Sequence, residues 1–196
     1  MPDTDMKKAV NQIISSSFGS AGQRFMACST VVVVGNNNEF VKSLKEQVDQ
    51  LIIGNGMDEE VFLTPVIRQY HREKVLGYIE KGIKEGAELI RDGRKDMDQF
   101  DEGNFLGPTI FDHVSPNMTI AKEEIFAPVL SLLRASDLDE ALEYIRGSRY
   151  GNGATIYTKD PRAVRRFREE AEAGMLGINV GVPATIGILS VFGLER

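Results

Sequence analysis

Helix-spaced and strand-like segments take turns along this chain, and that alternation narrows its fold more than any other feature. Met6, Ala9, Val10, Ile13 and Ile14 recur at the spacing of one helix face, which predicts a helix over 4–17. A β-branched run at 29–34, closed by Gly35, reads as a buried strand. Helical spacing returns over 39–52, with Phe40, Val41, Leu44, Val48, Leu51 and Ile52 on the apolar side, until Gly54-Asn-Gly56 breaks it. Another helix is predicted over 71–84, with Val75, Leu76, Ile79 and Ile83 inward. Strands are expected at 87–90, 105–111 and 129–133, with a polar surface loop over 91–102. Ser136, with Asp139 three residues on, resembles a capping box for a helix carrying Leu138, Ala141, Leu142 and Ile145 on one face. After a strand at 154–157, Asp160-Pro161 starts a helix that faces inward through Ala163, Val164, Phe167 and Ala171, with Gly174 as its left-handed terminator. The last strand is predicted over 175–180. Such an order implies an α/β fold, an open twisted sheet with helices on both faces. A single unit is expected over 1–180, followed by a glycine-rich apolar tail over 181–196.

Composition removes several function classes. The chain has 196 residues, 42% apolar and 27% charged, which suits a folded domain with one sizeable core. A net charge of −6 and an isoelectric point near 5.1 argue against a nucleic-acid partner. No stretch approaches the roughly 20 apolar residues of a spanning helix, so no membrane partner is expected. The first residues, Met1-Pro-Asp-Thr-Asp5, lack the basic and apolar regions of a signal peptide. One cysteine, Cys28, excludes an intrachain disulfide and suits a reducing, cytoplasmic setting. With His71 and His113 as the other soft donors, no metal site is expected.

The chemistry-bearing candidates are few. Arg24 carries a guanidinium fork able to hold a carboxylate by two charge-assisted hydrogen bonds, or else to serve as a solvated or structural cation. Glu124 and Phe126 lie two apart, so in an extended segment both project to one side. A solvated acidic pair, Glu123 and Glu124, before a core phenylalanine is the plainer alternative. Cys28 reads as a buried structural thiol. Gly54-Asn-Gly56 and Gly19-Ser-Ala-Gly22 lack the spacing of a phosphate cradle and read as turns. The run of charges at 162, 165, 166, 168, 169 and 170 reads as the solvated face of a helix.

Phe18-Gly-Ser-Ala-Gly-Gln-Arg-Phe-Met-Ala-Cys28 resembles the nucleophile loop of the aldehyde dehydrogenase superfamily. Lys122-Glu-Glu-Ile-Phe-Ala-Pro-Val129 is similar to a second family signature, with Ala127 in place of glycine. The segments 104–111, 150–160 and 174–179 resemble further family stretches in the same order. Within the superfamily, 22–27 and 177–183 look most like the CoA-acylating (methyl)malonate-semialdehyde branch.

The resemblance implies an NAD-dependent enzyme giving acetyl-CoA or propionyl-CoA from a small-molecule semialdehyde, in valine and inositol catabolism. In the family pattern the catalytic cysteine follows Gly-Gln-x, and here that position holds Phe25. A phenyl ring has no lone pair to attack an aldehyde carbon, so the chain is expected to be inert at that step. By the same resemblance Arg24 would hold the substrate carboxylate, Glu124 the nicotinamide ribose, and Phe126 would lie beside the nicotinamide. Gln23 and Asn179 would brace the loop, with a plain strand-end turn residue as the alternative for Asn179. Which of Glu123 and Glu124 faces the cofactor stays open. Met1 corresponds to the interior of family chains, so the cofactor-binding half, with an oxyanion asparagine and a general-base glutamate, is expected to lie outside this sequence. NAD and CoA are therefore assigned to a parent enzyme that is a homo-oligomer, and none is expected bound to this fragment, with no NAD binding at sub-millimolar concentration. A non-catalytic binding or assembly module that keeps the fold is the alternative.

Overall fold

A computed structural model describes residues 1–181. The expected apolar tail lies, apart from Gly181, outside the described residues.

The first helix, α1, spans Met6–Phe18, and the Asp5 carboxylate caps it by accepting from the Lys8 N–H at 3.1 Å. It leads through the loop 19–29 into β1, Thr30–Val34. Helix α2, Asn38–Val48, ends four residues short of the prediction. Ile52 there turns its carbonyl to the N–H groups of Phe62 and Leu63, and Ile53 bridges to Leu63. The apolar spacing at 51 and 52 thus continues a helical rhythm in a segment that is already extended.

Helix α3, Gln69–Lys84, buries Val75, Ile79 and Gly82. Ile83, expected inward, is exposed. At about 100° per residue, Gly82 returns to within about 20° of Val75 while Ile83 overshoots by about 80°. A glycine suits that face, because a Cβ there would stand 3.0 Å from Ile120 and 3.1 Å from Phe111, and those side chains would have to give way. Strand β2 is Glu88–Arg91, and the polar loop after it contains a 3-10 segment, Gly93–Gln99. Strand β3, Thr109–Asp112, starts later than predicted, after Gly107 and Pro108. Proline offers no N–H to a ladder.

A single short turn, α4 (Thr119–Lys122), precedes β4, Val129–Ala135. Helix α5, Leu138–Arg146, is capped by Asp137, one residue later than the predicted Ser136. Glu140, not Asp139, is the returning acid. It accepts from both the N–H and the hydroxyl of Ser136. Strand β5 is Gly153–Ile156, and helix α6, Pro161–Glu170, opens on the predicted Asp160 cap. It leaves through an extended Ala171, and Gly174 is not left-handed. Strand β6, Met175–Ile178, closes the described chain.

The main sheet has the order β1-β4-β3-β2, with β1, β4 and β3 parallel and β2 antiparallel at one edge. Alternation along the strands builds two cores. Val33, Ile110, Leu130 and Leu132 face α1 and α2. Phe111, Val129 and Leu133, on the other face, meet Val75 and Ile79 of α3. Helices therefore cover both faces, as the alternation predicted. The last two strands form their own parallel pair. Helix α5 joins the two sheets: Ala141 packs with Val34 and Ala135, and Leu142 with Ile156 and Phe167.

Candidate active site

The loop that follows α1 is wound the unusual way. Ser20, Ala21 and Gly22 have φ values of 54°, 53° and 66°. For Ser20 and Ala21 that conformation costs roughly 1–2 kcal/mol each, so other contacts must hold it. Arg24 supplies one. Its Nη2 donates to the carbonyls of Ser15, at 2.6 Å, and Ser16, at 3.0 Å, in the last turn of α1. A cation there complements the negative end of the helix dipole. The guanidinium lies over Gly19, where a Cβ would approach Nη2 to 2.9 Å. The Cys28 N–H closes the loop on the Ser16 carbonyl at 3.0 Å. Gln23 accepts from the Ile67 N–H at 3.0 Å, which ties the loop to the segment entering α3. Phe25 is 70% exposed.

Gly22 also brings the second signature to the first. A side chain at Gly22 would collide with the Ala127 carbonyl, so only glycine permits this approach. The segment around Glu124 and Phe126, expected to be extended, is not so throughout, because Phe126 is left-handed with φ 56°. Burial still alternates: Ile125 and Ala127 are buried, while Glu124 and Phe126 face outward, the latter 40% exposed. The two glutamates differ. Glu123 accepts from the Tyr78 hydroxyl at 2.6 Å, which pushes the Tyr78 phenol up to about 12. Glu124 gives its N–H to the Tyr150 hydroxyl at 3.1 Å, and its carboxylate has no partner among the described residues.

His71 Nε2 lies 2.8 Å from the carbonyl oxygen of Phe126. His71, Tyr78 and Tyr150 are the residues that sequence reasoning missed. Each is an ordinary-looking polar residue on a helix or loop, and nothing local marks it as the partner of a segment 26 to 55 positions away.

Asn179 is placed differently from its expected role. It is left-handed and ends β6. Its side-chain amide pairs both ways with the Thr158 main chain, accepting at 3.0 Å and donating at 2.8 Å. Among the described residues its side chain therefore braces the β5–α6 turn. Gly181, two residues on, does run beside α1, next to Ser16 and Gln12. Cys28 donates to the Thr30 carbonyl at 3.4 Å, and burial pushes its thiol up. A thiol whose pKa is raised is a weaker nucleophile, although Cys28 is only half-buried where the sequence reading had it buried.

The whole arrangement, two ordered signatures packed against each other at Gly22 and Ala127 beside a mixed sheet, agrees with the comparisons. The Aldehyde dehydrogenase family profile matches residues 1–195. The chain belongs to the aldehyde dehydrogenase family. It is 75% identical, over 98% of its length, to malonate-semialdehyde dehydrogenase 1 of Geobacillus kaustophilus (strain HTA426), and covers 40% of that protein. It superposes with a TM-score of 0.91 on the crystal structure of methylmalonate-semialdehyde dehydrogenase from Oceanimonas doudoroffii, at 40% identity, covering 95% of this chain and 39% of the other. The 1-pyrroline-5-carboxylate dehydrogenase from Thermus, solved with bound NAD, gives 0.87 at 31% identity, covering 95% and 36%. This aldehyde dehydrogenase chain thus spans about two fifths of the relatives it matches. No helix among the described residues is long and apolar enough to cross a membrane.

Proposed function

We propose that this chain is the nucleophile-bearing domain of a CoA-acylating malonate- or methylmalonate-semialdehyde dehydrogenase, and that Phe25 leaves it without a nucleophile. The 75% identity to a malonate-semialdehyde dehydrogenase carries the proposal. NAD would meet this domain at Glu124 and Phe126. A carboxylate without a protein partner can accept from ribose hydroxyls, and a half-exposed ring offers a flat apolar surface. When bound, NAD supplies the oxidant for the aldehyde carbon. CoA would take the acyl group. Gln23, by fixing the Ile67 amide, holds the loop in register with α3.

Arg24 has a mixed role on this reading. Its Nη2 is committed to the α1 carbonyls, which leaves the other edge of the fork for a substrate carboxylate. One face of the fork would position the loop while the other recognises the acid. The unit would comprise residues 1–180, with 181–196 as an appendage, working in the cytoplasm as part of a homo-oligomeric assembly with a cofactor-binding half.

A chimera tests the reading. Residues 1–196 would replace the matching segment of the Geobacillus relative, once as they stand and once with Phe25→Cys. The expected result is CoA-dependent NADH formation from malonate semialdehyde only in the Phe25→Cys chimera. Turnover by the unaltered chimera, or a folded Phe25→Cys chimera that ignores CoA, would sink it. The exposed ring of Phe25 favours a second reading, a non-catalytic module in which that ring contacts a partner. Under it, the Phe25→Cys chimera would lose assembly without gaining turnover.

A further inference from the structure

The left-handed turn at Phe126 is gripped from outside its own segment. An aromatic residue at φ 56° is strained and persists only where its surroundings over-determine it. The carbonyl of Phe126 lies 2.8 Å from His71 Nε2. A carbonyl only accepts, so His71 donates and carries a proton on Nε2 at this contact. His71 stands in the first turn of α3, and Val75 and Ile79 anchor the following turns in the core. On one side of the turn, Tyr150 accepts the Glu124 N–H. On the other, Ala127 is pressed against Gly22. A rigid helix thus reaches the carbonyl of the strained residue, midway between the acid at 124 and the loop of Phe25.

We propose that His71 is a positioning residue: its Nε2–H fixes the Phe126 turn and thereby the outward direction of Phe126 and Glu124. The inference rests on the reading that these two side chains meet the nicotinamide ribose end of NAD. Without the bond, the turn would relax toward right-handed conformations that turn the ring and the carboxylate apart. A histidine that merely decorated the helix surface would have no effect on residues 124–127.

Nuclear magnetic resonance on the full chain tests this, with nicotinamide mononucleotide at millimolar concentration as the probe. The wild type is compared with His71→Ala and with His71→Gln, whose amide can donate from a similar position. The wild-type ring is expected to hold its proton on Nε2. In His71→Ala, amide exchange across 124–129 should quicken by roughly 3- to 10-fold, the range set by one lost hydrogen bond. Binding of the mononucleotide should weaken by a similar factor, and His71→Gln should restore both. A wild-type ring protonated on Nδ1 alone, or a His71→Ala variant with unchanged exchange and binding, would overturn the proposal. If the exchange pattern appears as expected but the wild type shows no shift at Glu124 or Phe126 on adding the probe, the turn-fixing role is supported and the cofactor reading fails. Should His71→Ala not fold, the wild-type ring proton and wild-type-like exchange in His71→Gln still decide.

Discussion

At the scale of single residues, the loop after α1 turns on what Phe25, Cys28 and Gly22 can and cannot do. Replacing Phe25 by cysteine returns a thiol to an exposed position, whereas the Cys28 thiol is half-buried and pushed up by desolvation. Titration of the native Phe25→Cys chain with an aromatic disulfide at neutral pH should therefore find one fast thiol, against none in the parent. NADH should still not form from malonate semialdehyde, NAD and CoA, because loss of even one oxyanion donor costs about 10²–10³ in rate. Turnover by this variant alone would show that the cofactor and general-base groups have been assigned to the wrong part of the protein. Two glycines make an opposed pair. Gly22→Ala puts a side chain at φ 66° and into the Ala127 carbonyl, and should cost about 2 kcal/mol or more. Gly77, inside α3 with nothing within 4 Å of a built Cβ, should gain about 0.5–1 kcal/mol as alanine. Urea midpoints moving in the same direction for both variants would contradict this account.

At the scale of elements, the junction of β3 and β4 carries a nearly buried ion pair. Burial by itself would raise the Asp112 carboxyl. The Arg134 fork, at 2.8 and 2.6 Å, and the His113 N–H outweigh burial and hold it below the usual range. The sign follows: a depressed carboxyl stabilises the fold above its unfolded value, near 3.9, and that contribution is lost as pH falls through the folded value. Unfolding free energy should thus decline as pH drops from about 5 toward 2. Asp112→Asn should remove part of that slope and cost about 1–3 kcal/mol at pH 7. An equally steep acid limb in the variant would assign the slope to other carboxyls. The capping of α5 shows how close a sequence reading can come. The capping-box idea was right in kind, but Asp137 and Glu140 fill the roles given to Ser136 and Asp139. The one-residue shift changes the amide that is capped: Asp137 accepts from the Glu140 N–H, where a Ser136 cap would have faced the Asp139 N–H.

At the scale of the whole molecule, exposed apolar groups gather where the two signatures meet. Phe25 and Phe126 flank the Gly22–Ala127 approach, and Ile67 and Tyr70 are tied to the same region through Gln23 and His71. Large exposed apolar side chains brought to one region are the kind of surface that interfaces use. The chain by itself should therefore self-associate with rising concentration, and Phe25→Ser should weaken that association. Sedimentation showing a strict monomer at every concentration would remove the argument. The apolar stretch at 186–194 lies outside the described residues.

Periodicity sufficed for the layered α/β architecture, because burial on two faces of a sheet must be written into spacing of two and of 3.6. Ordered motifs sufficed for the family. The sequence also carried the identity of Phe25, which no fold can turn into a nucleophile. The tertiary structure alone decided which side chains serve the site. It set Arg24 across the end of α1, gave Glu123 to Tyr78, and turned Asn179 to Thr158. It also brought His71 to a carbonyl 55 residues away. Hydrogen bonds between distant segments leave no period in a sequence, since each needs only one polar atom at one point in space.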